Sequence, residues 1–311
     1  MKKILVTGGA GYIGSSLVTA LVNNNYEVTV LDILNYNKES LNHLYKFENF
    51  KFFKLDTNKE KNIIKHIKGK DFIIPLSALV GAPLCEKKKK LATITNVISL
   101  KLLMKHIKRN QKIIYPTTNS GYGIGKKNAY CDEKSEINPI SHYGKTKMEG
   151  EKIILKHKNS ISFRLATVFG SSFRMRTDLL VNNFVHEAYY NNKLILFEEN
   201  FRRNYIHIND IVLAFLFSIK NFNKLRSNIY NLGLSKANIT KHDLAKKIKK
   251  YLPNTKIIIK NDRKDPDKRD YFVSNKKIEK KGFKAVYSLD HGIKELVNIF
   301  KISRINIKNN Y

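Results

Sequence analysis

The stretch Lys3-Ile4-Leu5-Val6-Thr7-Gly8-Gly9-Ala10-Gly11-Tyr12-Ile13-Gly14 decides the fold. Residues 3–6 read as a short buried strand, and the apolar spacing over residues 13–23 reads as a helix. Glycines at 8, 11 and 14 fill the turn between them. Gly8 allows the tight turn, Gly11 lets the backbone approach a pyrophosphate, and Gly14 permits close helix–strand packing. A helix that opens there, with Tyr12 and Ile13 in its first turn, presents free N–H groups and the positive end of its dipole. Asp32 ends the next predicted strand, where the ribose hydroxyls of a dinucleotide would lie. A carboxylate there repels a 2′-phosphate, so the pattern favours NAD over NADP.

Outward from this turn, residues 27–31, 51–55, 71–76, 112–115 and 161–165 also read as strands. Helical spacing runs through residues 59–67, 92–107 and 143–157. Repeated β-α-β predicts a Rossmann-type, doubly wound parallel α/β sheet, with the carboxyl ends of its strands gathered where ligands bind. Beyond residue 165 the alternation loosens. A loop and helix are expected over 174–192, short strands over 205–207 and 229–232 around a helix at 209–222, and helices over 240–251 and 288–302. Thr240-x-x-Asp243 is a capping pattern for the first of these last two. No repeat and no Pro- or Gly-rich linker divides the chain. The expected organisation is a dinucleotide-binding domain over 1–166, to which 201–230 returns. A smaller interleaved α/β substrate-binding lobe takes 167–200 and 231–302, and 303–311 form a polar tail.

The chain has 311 residues, 58 Lys plus Arg against 26 Asp plus Glu, and a formal net charge of +32. Its 42% hydrophobic and 11% aromatic content is enough to build cores, which excludes wholesale disorder. Two cysteines exclude a disulfide scaffold and fit a reducing compartment. The longest near-apolar run, 211–219, is too short for a bilayer, which takes about 20 residues. The basic start lacks the apolar stretch of a signal peptide. A cytoplasmic protein without a membrane partner is expected. The charge raises the question of nucleic acid, but no helix-turn-helix, RNP or zinc pattern accompanies it. The lysine runs at 87–90 and 246–250 read as solvated faces, so nucleic acid is not expected as a partner. A positive field instead concentrates small polyanions such as dinucleotides and nucleotide sugars. No Cys/His cluster has metal spacing, and no metal is expected.

The second informative stretch is Ser141-His142-Tyr143-Gly144-Lys145-Thr146-Lys147. Tyr143 and Lys147 are four apart and share a helix face. A free tyrosine, with a pKa of about 10, is a poor base at neutrality. An adjacent ammonium and the positive ring of NAD are expected to lower that value. Tyr143 then accepts a hydroxyl proton while hydride leaves the same carbon.

With these residues the chain resembles the extended short-chain dehydrogenase/reductases of the NAD-dependent epimerase/dehydratase type, which act on nucleotide-activated sugars. The resemblance runs from Gly8 to about Ile299. It implies that Thr118, four residues before the tyrosine of Tyr122-Gly123, completes a triad with Tyr143 and Lys147. It also implies cofactor contacts from Asp56 and Thr57, from Leu76-Ser77-Ala78, from Asn96 and from Val168. The segment Arg164-Leu165-Ala166-Thr167-Val168-Phe169-Gly170 departs from the usual Arg-x-x-Asn-Val-Tyr-Gly at Thr167 and Phe169.

Dehydratases of this type carry an acid after the catalytic threonine, whereas here Asn119 and Ser120 follow it. Neither is an effective acid or base near neutrality, which favours oxidation at C4. Whether the hydride returns, as in an epimerase, or leaves with the cofactor stays open, and an inactive NAD-binding regulator is a third alternative. Four segments resemble a subgroup of GDP-heptose 4-dehydrogenases of capsule biosynthesis: 75–85, which contains Val80, 119–125, 174–180 and 265–271. The resemblance implies a GDP-sugar bound by Val80, Asn119, Ser120 and Thr167. Arg174, Arg176, Arg203 and Arg269 are the arginines suited to its diphosphate, with Asp178 and Leu179 beside its nucleotide. Such enzymes often form homodimers through the helices at 92–107 and 143–157.

Overall fold

In the computed structural model, which describes residues 1–125, 129–260 and 269–302, the quoted turn lies at the centre of a seven-stranded parallel sheet. The first half of the chain runs β1 (Lys3–Thr7), α1 (Tyr12–Asn23), β2 (Glu27–Asp32), β3 (Phe50–Lys54), α2 (Glu60–Ile67) and β4 (Phe72–Pro75). It continues with α3 (Ala82–Lys87), α4 (Lys89–Thr93), α5 (Ser99–His106), β5 (Lys112–Thr118), β6 (Tyr130–Cys131), α6 (His142–Ile154) and β7 (Ser160–Leu165). Then follow β8 (Thr167–Phe169), α7 (Leu180–Asn191), β9 (Lys193–Leu196), β10 (Arg202–His207), α8 (Ile208–Lys220), α9 (Phe222–Leu225) and β11 (Asn228–Leu232). The chain closes with β12 (Asn238–Thr240), α10 (Lys241–Tyr251), β13 (Lys256–Ile259), β14 (Phe272–Val273), α11 (Lys276–Lys280) and α12 (Leu289–Ile302).

The main sheet has the order β3-β2-β1-β4-β5-β7-β11. Winding reverses between β1 and β4, which opens the crevice at the carboxyl ends of these two strands. Alternate residues of β1 feed two cores. Ile4 and Val6 join Val28, Val30 and Ile74 against Leu17, Val18 and Leu21 of α1 and Ile211 and Phe215 of α8. Leu5 joins Leu31, Ile73 and Ile113 against Ile63 of α2, Leu100 and Leu103 of α5, and Ile154 of α6. Each such fully buried aliphatic side chain contributes about 1.5–3 kcal/mol.

A second core ties Phe169 to Val181 and Val185 of α7, Leu194 and Leu196 of β9, Leu244 and Ile248 of α10, and Ile293 and Leu296 of α12. Around it lie the small sheets β12-β10-β8 and β13-β9. The expected cap on α10 is present, with Thr240 Oγ1 accepting the Asp243 N–H at 3.0 Å.

Two local expectations are revised. The stretch 92–107 is not one α-helix, because a π-helical turn at Ile94–Ile98 separates α4 from α5. Asn96 lies within that turn and bonds both main-chain groups of Leu79, so a tertiary contact overrides the helical spacing. β5 extends to Thr118, since Pro116, Thr117 and Thr118 keep register with Phe163, Arg164 and Leu165 of β7. Among the described residues, no helix is long and apolar enough to cross a membrane.

Candidate active site

The ends of β1, β2, β3, β4 and β5 open into one cavity of about 680 Å³. Its floor is main chain. Gly8 has φ +72°, and a Cβ there would lie 2.5 Å from Ser77 N. A Cβ on Gly14 would lie 2.4 Å from the Gly8 carbonyl oxygen and 2.7 Å from Gly9 Cα. No side chain caps α1, whose N-cap is Gly11. Its first N–H groups are therefore available to an anion. Asp32 is held at the wall, Oδ2 accepting the Ala10 N–H at 3.0 Å and Oδ1 the Leu34 N–H at 2.8 Å. Burial raises its pKa, while those N–H groups and the charge of Arg174 oppose the rise. Tyr12, Ile13, Asp56, Thr57, Leu76, Ser77, Ala78 and Val168 line the same cavity.

Asn96 stands behind the wall rather than in it. Its Oδ1 accepts the Leu79 N–H at 2.7 Å, and its Nδ2 donates to Leu79 O at 2.9 Å and to Thr146 Oγ1 at 3.0 Å. With both amide atoms engaged, Asn96 positions the Leu79 backbone, which corrects the expectation of a direct cofactor contact.

Ser141 caps α6 by accepting the Gly144 N–H at 3.1 Å. The helix is fixed to β7 by a buried pair, Arg164 Nη2 and Glu151 Oε1 at 2.7 Å, with Ser162 Oγ donating to Glu151 at 2.9 Å. That anchorage sets the face carrying Tyr143 and Lys147 against the cavity, opposite Thr118 at the end of β5. Thr118 Oγ1 lies 2.8 Å from Ser120 Oγ and accepts the Ser120 N–H at 3.1 Å. A hydrogen bond joins Thr118 to Tyr143.

The electrostatics differ from the expectation. Burial, aided by Cys85, pushes the Tyr143 phenol up to about 12, although Arg269, Arg176 and the Thr118 hydrogen bond pull the other way. Burial also pushes Lys147 down to about 7. Its Nζ sits 4.2 Å from the centroid of the Tyr115 ring. The same desolvation that disfavours the phenolate thus leaves the amine only partly charged at neutrality. Proximity in sequence does not make Lys147 the dominant charge on Tyr143 in the protein alone.

On the opposite wall stand Val80, Thr167, Leu179, Arg176 with Asp178, Arg203 on β10, and Arg269. The Arg176 guanidinium pairs with Asp178. Arg269 Nη1 donates to Ser120 Oγ at 2.5 Å. Asn119 is buried and is not among the residues lining the cavity, so the expected substrate contact there is corrected. It follows Thr118 into a 3-10 turn, Asn119–Tyr122, that leaves Ser120 on the wall. The Arg174 guanidinium stacks over Tyr36, within reach of the charges of Arg176, Asp178 and Asp32. Most of the motif at 265–271 falls outside the described residues, which resume at Arg269.

Sequence reasoning missed Tyr36, Tyr115, Cys85 and Glu151. Only Glu151 left a signal, a carboxylate four residues after Lys147 on the same helix face. It also missed the grouping of His207, His291 and Glu295, whose ligand-type atoms lie within 4.8 Å of one another. The Asn209 N–H donates to His207 Nδ1 at 3.3 Å. The ring proton is then on Nε2, facing Glu295 at 3.3 Å, so this nitrogen offers an N–H rather than a metal-binding lone pair.

Comparison with known proteins agrees with this architecture. The chain is 30% identical over 273 residues to the dTDP-D-glucose 4,6-dehydratase of Dictyostelium discoideum, an alignment covering 80% of this chain. It spans 62% of that relative, less than two thirds of its length. It is 28% identical over 260 residues to the UDP-glucose 4-epimerase of Lactobacillus helveticus, covering 74% of this chain and 76% of that one. The fold superposes on UDP-glucuronic acid 4-epimerase from Bacillus cereus, in complex with UDP-glucuronic acid and NAD, with a TM-score of 0.85. Identity there is 24%, and the match covers 96% of this chain and 99% of the other. The sequence profile of one family spans residues 4–233, and with the glycine turn, Asp32 and the Tyr143–Lys147 face on a single cavity, the chain belongs to the NAD dependent epimerase/dehydratase family.

Proposed function

We propose that the protein oxidises a nucleotide-diphosphate sugar at C4. The observation that carries this reading is the convergence of Thr118, Tyr143 and Lys147 on the cavity that also contains the Gly8–Gly14 turn and the arginines Arg174, Arg176, Arg203 and Arg269. The residues present fit NAD: a backbone floor that a Cβ would fill, an uncapped helix N-terminus, and a carboxylate at the end of β2. When bound, NAD supplies the acceptor for the C4 hydride and a positive charge near the phenol. Tyr143, as phenolate, takes the proton of the C4 hydroxyl, leaving a ketone. Thr118 bonds the same sugar oxygen. Lys147 adds positive charge behind Tyr143 once the local field favours its ammonium form. Arg176, Arg203 and Arg269 orient the diphosphate.

No acid follows Thr118 to expel a C6 hydroxyl. Asn119 is withdrawn from the cavity, and Ser120 holds a hydroxyl between Thr118 and Arg269. Among the described residues, the carboxylates on the cavity wall are Asp32 and Asp56 at the cofactor side, and Asp178, paired with Arg176. This supports oxidation without dehydration. The motifs at 75–85, 119–125 and 174–180 support a GDP-heptose-type substrate and a role in capsule or other surface-polysaccharide synthesis. Two buried free cysteines fit a cytoplasmic setting. Ile98, exposed within the 92–107 stretch expected to pair, supports a homodimer. The names of the epimerase relatives favour a second reading, C4 epimerisation with the hydride returned.

Incubating the protein with NAD and GDP-, UDP-, CDP- or dTDP-sugars separates these readings. Loss of two hydrogens by mass spectrometry, with matching NADH, is expected for a GDP-sugar. Unchanged mass with inverted C4 by NMR identifies an epimerase. Loss of water overturns the argument from Asn119 and Ser120.

A further inference from the structure

We propose that Ser120 is a positioning residue for the oxidation: its hydroxyl passes the pull of the Arg269 guanidinium to Thr118 and fixes the Thr118 hydroxyl as a donor to the Tyr143 oxygen. Ser120 then serves the base rather than the substrate. This role rests on the reading of Tyr143 as a phenolate base.

The direction of the bonds follows from which groups can donate. A guanidinium has donors and no acceptor, so Ser120 Oγ accepts from Arg269 Nη1 at 2.5 Å. Thr118 Oγ1 has two lone pairs and one proton. It accepts the Ser120 N–H at 3.1 Å and lies 2.8 Å from Ser120 Oγ. It also shares a hydrogen bond with Tyr143, one that favours the phenolate. A phenolate has no proton to give, so the single Thr118 proton lies in that bond. The 2.8 Å contact must then take its proton from Ser120. Both lone pairs of Thr118 are thereby filled by one residue, and its proton is directed at the phenolate. The same proton is the one Thr118 offers to the sugar oxygen when substrate enters beside the phenol. The three bonds run one way, from Arg269 through Ser120 and Thr118 to Tyr143, and donors aligned in series polarise one another. Ser120 and Thr118 keep their protons throughout.

The setting makes this chain of bonds effective. Ser120 and Thr118 are buried, where electrostatic interactions are stronger than in water. Their turn is packed against α6: a Cβ on Gly121 would run into Met148 Sδ, and one on Gly144, next to Tyr143, would lie 3.3 Å from Ser120 O. Ser120 and Tyr143 therefore hold a fixed relation. Burial pushes the Tyr143 phenol up to about 12 and Lys147 down to about 7, so the ammonium alone is a weak counterweight at neutrality. The Arg269 charge is among those that oppose the rise. The five N–H groups of its fork allow both the bond to Ser120 and a contact with the diphosphate.

Carbon-13 labelling of the tyrosines at Cζ lets NMR follow the Tyr143 phenol, identified by its loss in Tyr143→Phe, through a pH titration of the full chain with NAD alone. In Ser120→Ala the midpoint should rise by about half a unit to one unit, while Ser120→Thr, which keeps a hydroxyl, stays within about 0.2 unit of native. Ser120→Ala leaves the Arg269 charge and the main-chain bond to Thr118 in place, so its shift reads the hydroxyl alone. Kinetics with the sugar nucleotide that the native chain oxidises should show the acid limb of kcat moving to higher pH by the same amount, with KM within about twofold of native. A midpoint in Ser120→Ala within about 0.2 unit of native overturns the proposal, and a raised KM beside it would make Ser120 a substrate contact. Arg269→Gln should raise the midpoint less in the Ser120→Ala background than in the native chain. Equal shifts would show that Arg269 acts through space and that nothing passes through Ser120. Should Ser120→Ala fail to fold, Ser120→Gly removes the same hydroxyl and carries the same expectation. A native phenol that stays protonated up to about pH 10 with NAD bound sinks the phenolate reading of Tyr143 itself, which is a different result from native and variant phenols that titrate together.

Discussion

The two walls of the cavity are made of different materials. The floor under the strand ends is main chain: Gly8 and Gly14 pack so tightly that a Cβ on either would meet another backbone atom within 2.5 Å. The facing wall is side-chain charge, Arg176 paired with Asp178, Arg203 on β10 and Arg269 on Ser120. Backbone donors neither titrate nor swing away, and their placement is written in a few consecutive residues. Guanidiniums are assembled from segments 27 to 93 residues apart along the chain and depend on partners for their geometry. The first wall is a rigid, sequence-local anion cradle; the second is an electrostatic site whose specificity is tertiary.

The largest expected effect breaks the side-chain half alone. Tyr143→Phe removes the proposed proton acceptor while keeping the ring. Turnover should fall by about 10²–10⁴-fold, the range for loss of a general base, with NAD affinity within a few-fold of native. Steady-state kinetics beside a binding titration check this. Near-normal turnover removes Tyr143 from the chemistry.

Next comes the anchorage of α6. Glu151→Ala strands the Arg164 guanidinium among buried groups, with Tyr122 O–H, 3.0 Å from its Nη1, unable to balance its charge. Leaving such a charge unpaired costs about 3–5 kcal/mol. Urea denaturation should show that loss. A drop under about 1 kcal/mol would mean that β7 and α6 are held by packing alone.

Gly14→Ala tests the backbone half. The new Cβ, 2.4 Å from Gly8 O, forces α1 away from the turn at about 1–3 kcal/mol. NAD binding should be lost while nucleoside diphosphate binding persists. Parallel loss of both ligands would show that the two walls are one cooperative unit, and the contrast between them would be gone.

The same contrast explains what could be read before the structure. The glycine turn, Asp32, the parallel sheet and the Tyr143–Lys147 face were all legible, because each follows from spacing within a strand, a turn or a helix. The π turn at Ile94–Ile98 was not, since Asn96 satisfies Leu79, a partner seventeen residues away in the chain. Nor was the electrostatics of Tyr143, for desolvation depends on what the fold brings around the phenol. Arg174 and Arg176 stand two residues apart in sequence and share one electrostatic neighbourhood, yet the first stacks on Tyr36 and the second hydrogen-bonds Asp178. A motif names such residues together; only packing gives each its contacts.

The smallest effect sharpens the border between the walls. The carboxylate of Asp32 is expected to repel a 2′-phosphate, yet Arg174, whose charge acts on it, is a cation of the kind that accepts one. Asp32→Ala removes the repulsion and leaves the guanidinium. The preference for NAD over NADP should therefore shrink by about tenfold, a difference of about 1.4 kcal/mol, through better NADP binding more than through poorer NAD binding. Asp32→Ala combined with Arg174→Gln should lose that gain, because no cation then faces the phosphate. Unchanged discrimination in Asp32→Ala would show that the shape of the loop after β2, not the carboxylate, reads the ribose.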